Sequence, residues 1–157
     1  MQSFRMITAV AALALATSFA HAHGAAQGPS EAGHPAKAKD ATRTVKLDAS
    51  EYAFSETALT FKSGETIKFV VTNKGKLKHE LTIGTPEEQL AHAREMAAMS
   101  DMKHDEGEHE MPANSIHVGP GETRELVWTF TKAGKLLFAC NYPGHSDLGM
   151  QGNIVVQ

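Results

Sequence analysis

The residues of this chain that can do metal chemistry gather in one short stretch near its C-terminal end. Cys140, His145 and Met150 follow one another with the spacing C-x4-H-x4-M. Thiolate and thioether sulfurs are soft ligands that favour copper, and one class of copper site uses two histidines, one cysteine and a weak axial methionine. The stretch supplies three of those four groups, so it predicts a copper site that needs one more histidine from elsewhere in the chain.

The residues on either side place these three ligands on a loop between two strands. Apolar residues alternate over residues 136–140, so Cys140 is predicted to share the inward face of a strand with two core residues. Pro143 and Gly144 then favour a turn, because proline has a fixed φ and no N–H to donate. Residues 153–156 are a second strand-like run. All three side chains are therefore expected to lie close together.

Other interpretations of these residues stay open at this point. A lone cysteine is often a small buried hydrophobe, and a lone methionine is often core filler. A redox-sensing thiol is another possibility, but Cys140 is the only cysteine of the sequence and has no second thiol to resolve it. Zinc usually takes a closed shell of cysteine, histidine or carboxylate and gains little from methionine. The conjunction of three ligand types at this spacing favours copper over these alternatives.

Two histidines compete for the remaining ligand position. His79 lies inside a predicted strand over residues 77–83, among core residues. His117 also lies in a predicted strand, but beside a Gly-Pro-Gly turn at residues 119–121, where an exposed imidazole costs nothing. We therefore choose His79 as the upstream ligand and keep His117 as the alternative.

The first 22 residues predict a secretory signal peptide. Arg5 gives a positive start, residues 6–16 are apolar, and Ala20-His21-Ala22 forms an A-x-A cleavage site, with cleavage after Ala20 as an alternative. No apolar run is long enough to span a bilayer, so no membrane anchor is expected. We expect an exported, periplasmic protein. Its single cysteine cannot form an internal disulfide, which again favours a ligand role.

Charge and length exclude some classes of function. The chain has 157 residues, which is enough for one domain. Its formal net charge is −3, so it has no excess of basic residues. Residues 85–112 carry eight acidic and two basic groups, so the rest of the chain is nearly neutral. Nucleic-acid binding usually needs a basic surface, and it is not expected here.

The remaining pattern predicts an all-β domain with one helical insertion. Residues 23–41 are rich in Ala, Gly, Pro and Ser and are predicted to be a flexible leader before a domain over residues 42–157. β-Branched and aromatic runs separated by turn residues predict a β-sandwich. Its strands are expected at residues 44–47, 59–61, 65–72, 77–83, 115–118, 123–130, 135–140 and 153–156. Within an insertion over residues 85–112, Thr85, Pro86 and Glu88 predict the start of a helix that continues to about Lys103.

These motifs together resemble the cupredoxins, the blue (type 1) copper proteins that include plastocyanin and azurin. The resemblance covers nearly all of residues 43–157 outside the insertion, and the Cys–His–Met loop is its specific part. The similar stretches are residues 63–73, 78–80, 119–122, 134–140 and 149–154. It implies a Greek-key β-sandwich with one copper ion at one end, held by His79, Cys140 and His145 as equatorial ligands and Met150 as the axial ligand.

The sequence departs from the plastocyanin and azurin pattern in two places. Those proteins usually follow the first ligand histidine with Asn, whose side chain ties the ligand loops together, and Glu80 stands there in this chain. The helical insertion is absent from the plain electron carriers and looks more like the periplasmic cupredoxins associated with copper tolerance.

The insertion itself predicts additional copper binding. Thioethers suit Cu(I) and imidazoles suit Cu(II), and both are concentrated here. The candidate residues are His92, Met96, Met99, Met102, His104, His109, Met111 and His117. The alternative is an amphipathic helix that uses methionine as core filler.

The expected protein is a monomeric, non-enzymatic, periplasmic type 1 copper-binding protein capable of one-electron transfer, with a role in copper handling and tolerance. Its partner would be a periplasmic redox protein or a protein that donates or accepts copper. The alternatives are a dedicated electron shuttle and a copper chaperone. An oxidase of Cu(I) is disfavoured because one such chain lacks the extra copper cluster needed to reduce O2.

Overall fold

The computed structural model describes residues 30–101 and 111–157. Within these ranges the chain forms ten strands, one α-helix and a short 3-10 turn at Ala38–Asp40. The helix is α1 (Pro86–Asp101). The strands are β1 (Gly33–Pro35), β2 (Arg43–Ser50), β3 (Ala53–Phe54), β4 (Ala58–Phe61), β5 (Thr66–Asn73), β6 (His79–Gly84), β7 (Ser115–Val118), β8 (Thr123–Phe130), β9 (Gly134–Ala139) and β10 (Gln151–Val156).

The strands form two five-stranded sheets. One has the order β1-β8-β5-β2-β3 and the other β4-β10-β9-β6-β7. The pairs β2–β5 and β4–β10 are parallel, and the other paired strands are antiparallel. The inner faces of the two sheets bury one shared hydrophobic core, as expected for a sandwich. The predicted all-β sandwich with one helical insertion is confirmed.

Alternation along β8 shows how the core is built from the sequence. Leu126, Trp128 and Phe130 all face inward, as the period of two in this run predicts. Phe130 stacks on Phe61 of β4, with the ring centroids 4.8 Å apart. Trp128 is 1% exposed and belongs to the core, away from the predicted ligands.

The predicted flexible leader is wrong over its second half. Gly33–Pro35 pairs with β8 at the edge of the first sheet. The Trp128 indole N–H donates a hydrogen bond to the Ala32 carbonyl oxygen at 3.3 Å, and Ala32 is buried. The Ala-, Gly- and Pro-rich composition concealed this strand, because its stability comes from covering Trp128 and not from its own side chains. The predicted signal peptide and residues 23–29 lie outside the described residues.

Helix α1 begins at the predicted cap. The Thr85 N–H donates to the Glu88 carboxylate at 2.7 Å, and the Glu88 N–H donates to the Thr85 hydroxyl at 3.2 Å, which is a capping box. The helix contacts β6 and β9 of the second sheet. In the described ranges, no helix combines the length and apolar character that a membrane span needs. The predicted extension to Lys103 lies outside these ranges.

Candidate metal centre

Three predicted ligands converge at one end of the second sheet. His79 is the first residue of β6, Cys140 directly follows β9, and His145 lies on the loop between β9 and β10. Because β6 and β9 are antiparallel neighbours, the start of one lies beside the end of the other. One ligand atom from each of the three residues lies within 4.8 Å of the others. The Cys140 sulfur is 3.3 Å from Nδ1 of His145.

Backbone hydrogen bonds close the ligand loop and bring the Met150 backbone next to that of Cys140. The Cys140 N–H donates to the Met150 carbonyl oxygen at 3.0 Å, and the Met150 N–H donates to the His145 carbonyl oxygen at 3.0 Å. Gly144 and Gly149 make the turns that this path needs, with φ of +83° and +106°. Met150 is fully buried. The loop therefore returns the chain to the sheet with the cysteine and methionine backbones paired.

His79 has the environment of a metal ligand. Its side chain is 1% exposed, and neither ring nitrogen has a hydrogen-bond partner. A buried polar group without a partner costs about 1–3 kcal/mol. Burial lowers the pKa of His79, and the charge of nearby His145 lowers it further. Burial also lowers the pKa of His145. Both rings are therefore held in the neutral form that binds metals, and the donor set fits a copper ion.

Cys140 is held as a buried thiol beside these rings. It is fully buried, and burial raises its pKa to about 12. The Glu80 backbone N–H points at its sulfur, 3.4 Å away. Because only the thiolate binds a metal, copper binding here must release the thiol proton.

Glu80 is a buried carboxylate that bonds directly to the ligand loop. It is fully buried and accepts a hydrogen bond from the Asn141 N–H at 2.7 Å. Its other oxygen lies 3.3 Å from Nε2 of His92 and 3.5 Å from Nε2 of His117. Burial alone would raise the pKa of Glu80, but the bonds from His117, His92 and Asn141 outweigh it and lower that pKa to about 2. Glu80 thus makes the tie between ligand segments that Asn makes in the family pattern.

The candidate secondary copper residues have varied positions. His92 and Met96 are buried, Met99 and Met111 are half-buried, and His117 is exposed. The structure brings His92 and His117 to the Glu80 carboxylate. His117, the alternative for the upstream ligand, lies outside the compact group formed by His79, Cys140 and His145. Met102, His104 and His109 lie outside the described residues, so copper binding by the insertion stays a prediction.

Comparison with known proteins decides the family. The sequence model of the family described as copper-binding proteins, plastocyanin/azurin family, matches residues 41–157 of this chain. This chain belongs to that family.

Two similar proteins are both named copper-resistant cuproprotein CopI. The one from Rubrivivax gelatinosus is 40% identical, over 94% of this chain and 93% of its own length. The one from Pseudomonas aeruginosa is 37% identical, over 80% of this chain and 82% of its own length.

Solved cupredoxin structures share the fold. Auracyanin A from Chloroflexus aurantiacus, a "blue" copper protein, is 27% identical and has a TM-score of 0.57, covering 73% of this chain and 98% of its own. Auracyanin B is 20% identical and has a TM-score of 0.63, covering 80% of this chain and 96% of its own. The family, the fold and the His–Cys–His group agree on copper as the metal of this cupredoxin.

Proposed function

We propose that this cupredoxin holds one type 1 copper ion through His79, Cys140, His145 and Met150 and serves copper handling and tolerance in the periplasm. The observation that carries the proposal is His79, whose two buried ring nitrogens lack protein partners and lie beside Cys140 and His145. The names of the CopI relatives support the tolerance role. The signal-peptide pattern of residues 1–22 supports the compartment.

The protein's own residues would give each ligand a distinct task. His79 is fixed at the start of a buried strand. Cys140 and Met150 are fully buried, so they would close the site from the core side and keep water out. His145 is half-buried, so it is the member of the group nearest to solvent. The Tyr52 ring packs edge-on against the His145 ring, with the ring centroids 5.1 Å apart, and would limit the motion of the imidazole. Copper, when bound, supplies one-electron exchange between Cu(I) and Cu(II), and such ligands suit both ions.

Tolerance and electron shuttling can be separated in a copper-sensitive host. The exported protein should raise the copper concentration at which growth stops, and the Cys140→Ser variant should lose that protection. Gly134→Ala is a matched control, because its added methyl group meets open space. Protection by the control but not by Cys140→Ser supports the proposal. If the wild type gives no protection although it is exported and copper-loaded, the shuttle interpretation replaces tolerance.

The insertion is tested in the same assay by changing its predicted copper ligands without removing the helix. Met99 and Met111 are half-buried in the structure, and leucine conserves their volume. A double Met99→Leu, Met111→Leu variant that keeps the main site but loses protection would support copper binding by the insertion. Unchanged protection would indicate that these two methionines only pack against the domain.

A further inference from the structure

Glu80 is a buried anion shared by three parts of the structure. Its own strand carries His79, and its Oε1 accepts the N–H of Asn141, the residue directly after Cys140. Its Oε2 faces His92 of helix α1 and His117 of β7. Hydrogen bonds to an ionised group are stronger than those between neutral groups, and the difference is larger in the buried, low-dielectric interior. A single carboxylate therefore joins two ligand segments to the helix of the insertion.

A second set of hydrogen bonds links the same helix to the same loop. The Asn141 side-chain amide donates to Oε1 of Gln89 at 2.8 Å. The Gln89 amide donates in turn to the Thr82 carbonyl oxygen at 2.8 Å and to the Leu137 carbonyl oxygen at 3.3 Å. Gln89 and His92 are three positions apart, so they share one face of α1, and both are buried. Gln89 thus reaches the segment that carries Cys140 directly, and His92 reaches it through Glu80.

We propose that Glu80 is a positioning residue through which helix α1 sets the geometry of the copper centre. The inference deepens the proposed function and rests on it. Asn141 is held at its backbone by Glu80 and at its side chain by Gln89, so the direction in which the chain leaves Cys140 depends on the helix. The insertion is then a part of the copper site and not a separable attachment.

The main competitor is a second metal site made by Glu80, His92 and His117. Nε2 of His92 and Nε2 of His117 both lie near the same carboxylate oxygen of Glu80, so these three atoms could surround one metal ion. Among the described residues, however, His79, Cys140 and His145 are the only such group of three whose ligand atoms are placed to hold a metal ion. We therefore assign the two imidazoles to the carboxylate as hydrogen-bond donors.

Substitution of His92 tests the proposal on the full mature protein. His92→Leu removes a donor to Glu80 with little change of volume, and His92→Gln restores a donor. Leu90→Ala is the control on the exposed side of the same helix. In the copper-free protein, we expect amide exchange at Asn141 to become about tenfold faster in His92→Leu, because a hydrogen bond to a charged group is lost. We expect His92→Gln to lie near the wild type and Leu90→Ala to match it.

The copper-loaded proteins give a second readout. His92→Leu should shift the thiolate-to-copper absorption band and the copper hyperfine splitting, while His92→Gln should not. His117→Leu removes the other donor from an exposed position, so it should fold even if His92→Leu does not, and it should shift the same signals in the same direction. These results would support the positioning role.

Three outcomes are informative against the account, and they are distinguishable. If His92→Leu and His117→Leu both match Leu90→Ala in exchange and in spectra, the positioning role is overturned. If His92→Leu binds one copper fewer per chain, the cluster is a metal site and the proposal is wrong. If the wild type shows no intense thiolate-to-copper band, the proposed function fails, whereas the copper-free exchange data still decide the role of Glu80.

Discussion

Replacing His79 with leucine should stabilise the copper-free protein while destroying its copper site. The wild-type side chain is 1% exposed, and its two ring nitrogens have no hydrogen-bond partner. Leucine is of similar size and has no polar atom to satisfy. The substitution should therefore remove the penalty of a buried, unpaired polar group at a position where copper is the expected partner.

The magnitude follows from that penalty and from the cost of a changed shape. An unsatisfied buried polar group costs about 1–3 kcal/mol. A swap of similar volume costs less than about 1.5 kcal/mol. Taking the middle of each range, we expect the free energy of unfolding of copper-free His79→Leu to exceed that of the wild type by about 1 kcal/mol. In a protein of this size, each 1 kcal/mol raises the Tm by about 2–4 °C.

Copper should reverse the order of stability. A ligand present at a thousand times its Kd stabilises the folded state by about 4 kcal/mol, and His79→Leu should gain far less because a ligand is missing. The assay is urea unfolding at pH 7.5, with chelator and reductant in one series and with copper in the other. His34→Leu is the control, since His34 is exposed and its change should stay within about 0.5 kcal/mol. Copper-free His79→Leu that is less stable than the wild type would refute the reasoning.

Three further predictions test the packing, the buried carboxylate and the buried thiol. Gly152→Ala should lower the free energy of unfolding by about 1–3 kcal/mol, because its new methyl group meets the Phe138 ring and the Thr57 carbonyl oxygen, whereas Gly134→Ala meets open space and should be nearly neutral in the same urea experiment. The pKa of Glu80 is lowered to about 2 from 4.5, so its charge stabilises the fold above pH 4.5 and this contribution is lost as the pH falls towards 2. At neutral pH the wild type should be more stable than Glu80→Gln by up to about 3 kcal/mol, and this difference should shrink between pH 4.5 and pH 2. A difference that does not depend on pH would contradict the lowered pKa of Glu80. Burial raises the pKa of Cys140 to about 12, so iodoacetamide should label the copper-free folded protein at pH 8 far more slowly than the unfolded chain, and equal rates would contradict the buried thiol.

Local pattern was enough to predict most of the sandwich. Alternating apolar residues mark strands such as β8 and β9, because each strand must bury one face. The capping box of α1 is likewise visible in Thr85 and Glu88, which bond to each other across one turn. The strand β1 was missed, because Gly33–Pro35 has no pattern of its own and is held by pairing with Phe130, Thr129 and Trp128.

The candidate site also has a part that could be predicted from local sequence and a part that could not. Cys140, His145 and Met150 lie on one loop, so their spacing alone indicates a ligand set, and His79 is recognisable from its apolar strand. The role of Glu80 was not predictable, because its partners lie 12 residues away at His92 and 61 residues away at Asn141. A glutamate between a histidine and a leucine has no local sign of burial, and only the tertiary fold brings its donors together.

The most direct test of the type 1 copper site is a Cu(II) titration of the purified protein, followed by visible absorption and by copper bound per chain. We expect an intense thiolate-to-copper band that saturates at one equivalent and disappears in Cys140→Ser. Further equivalents bound after saturation would indicate additional copper binding outside the type 1 site. A titration that produces no intense band would contradict the assignment of a type 1 copper site to His79, Cys140, His145 and Met150.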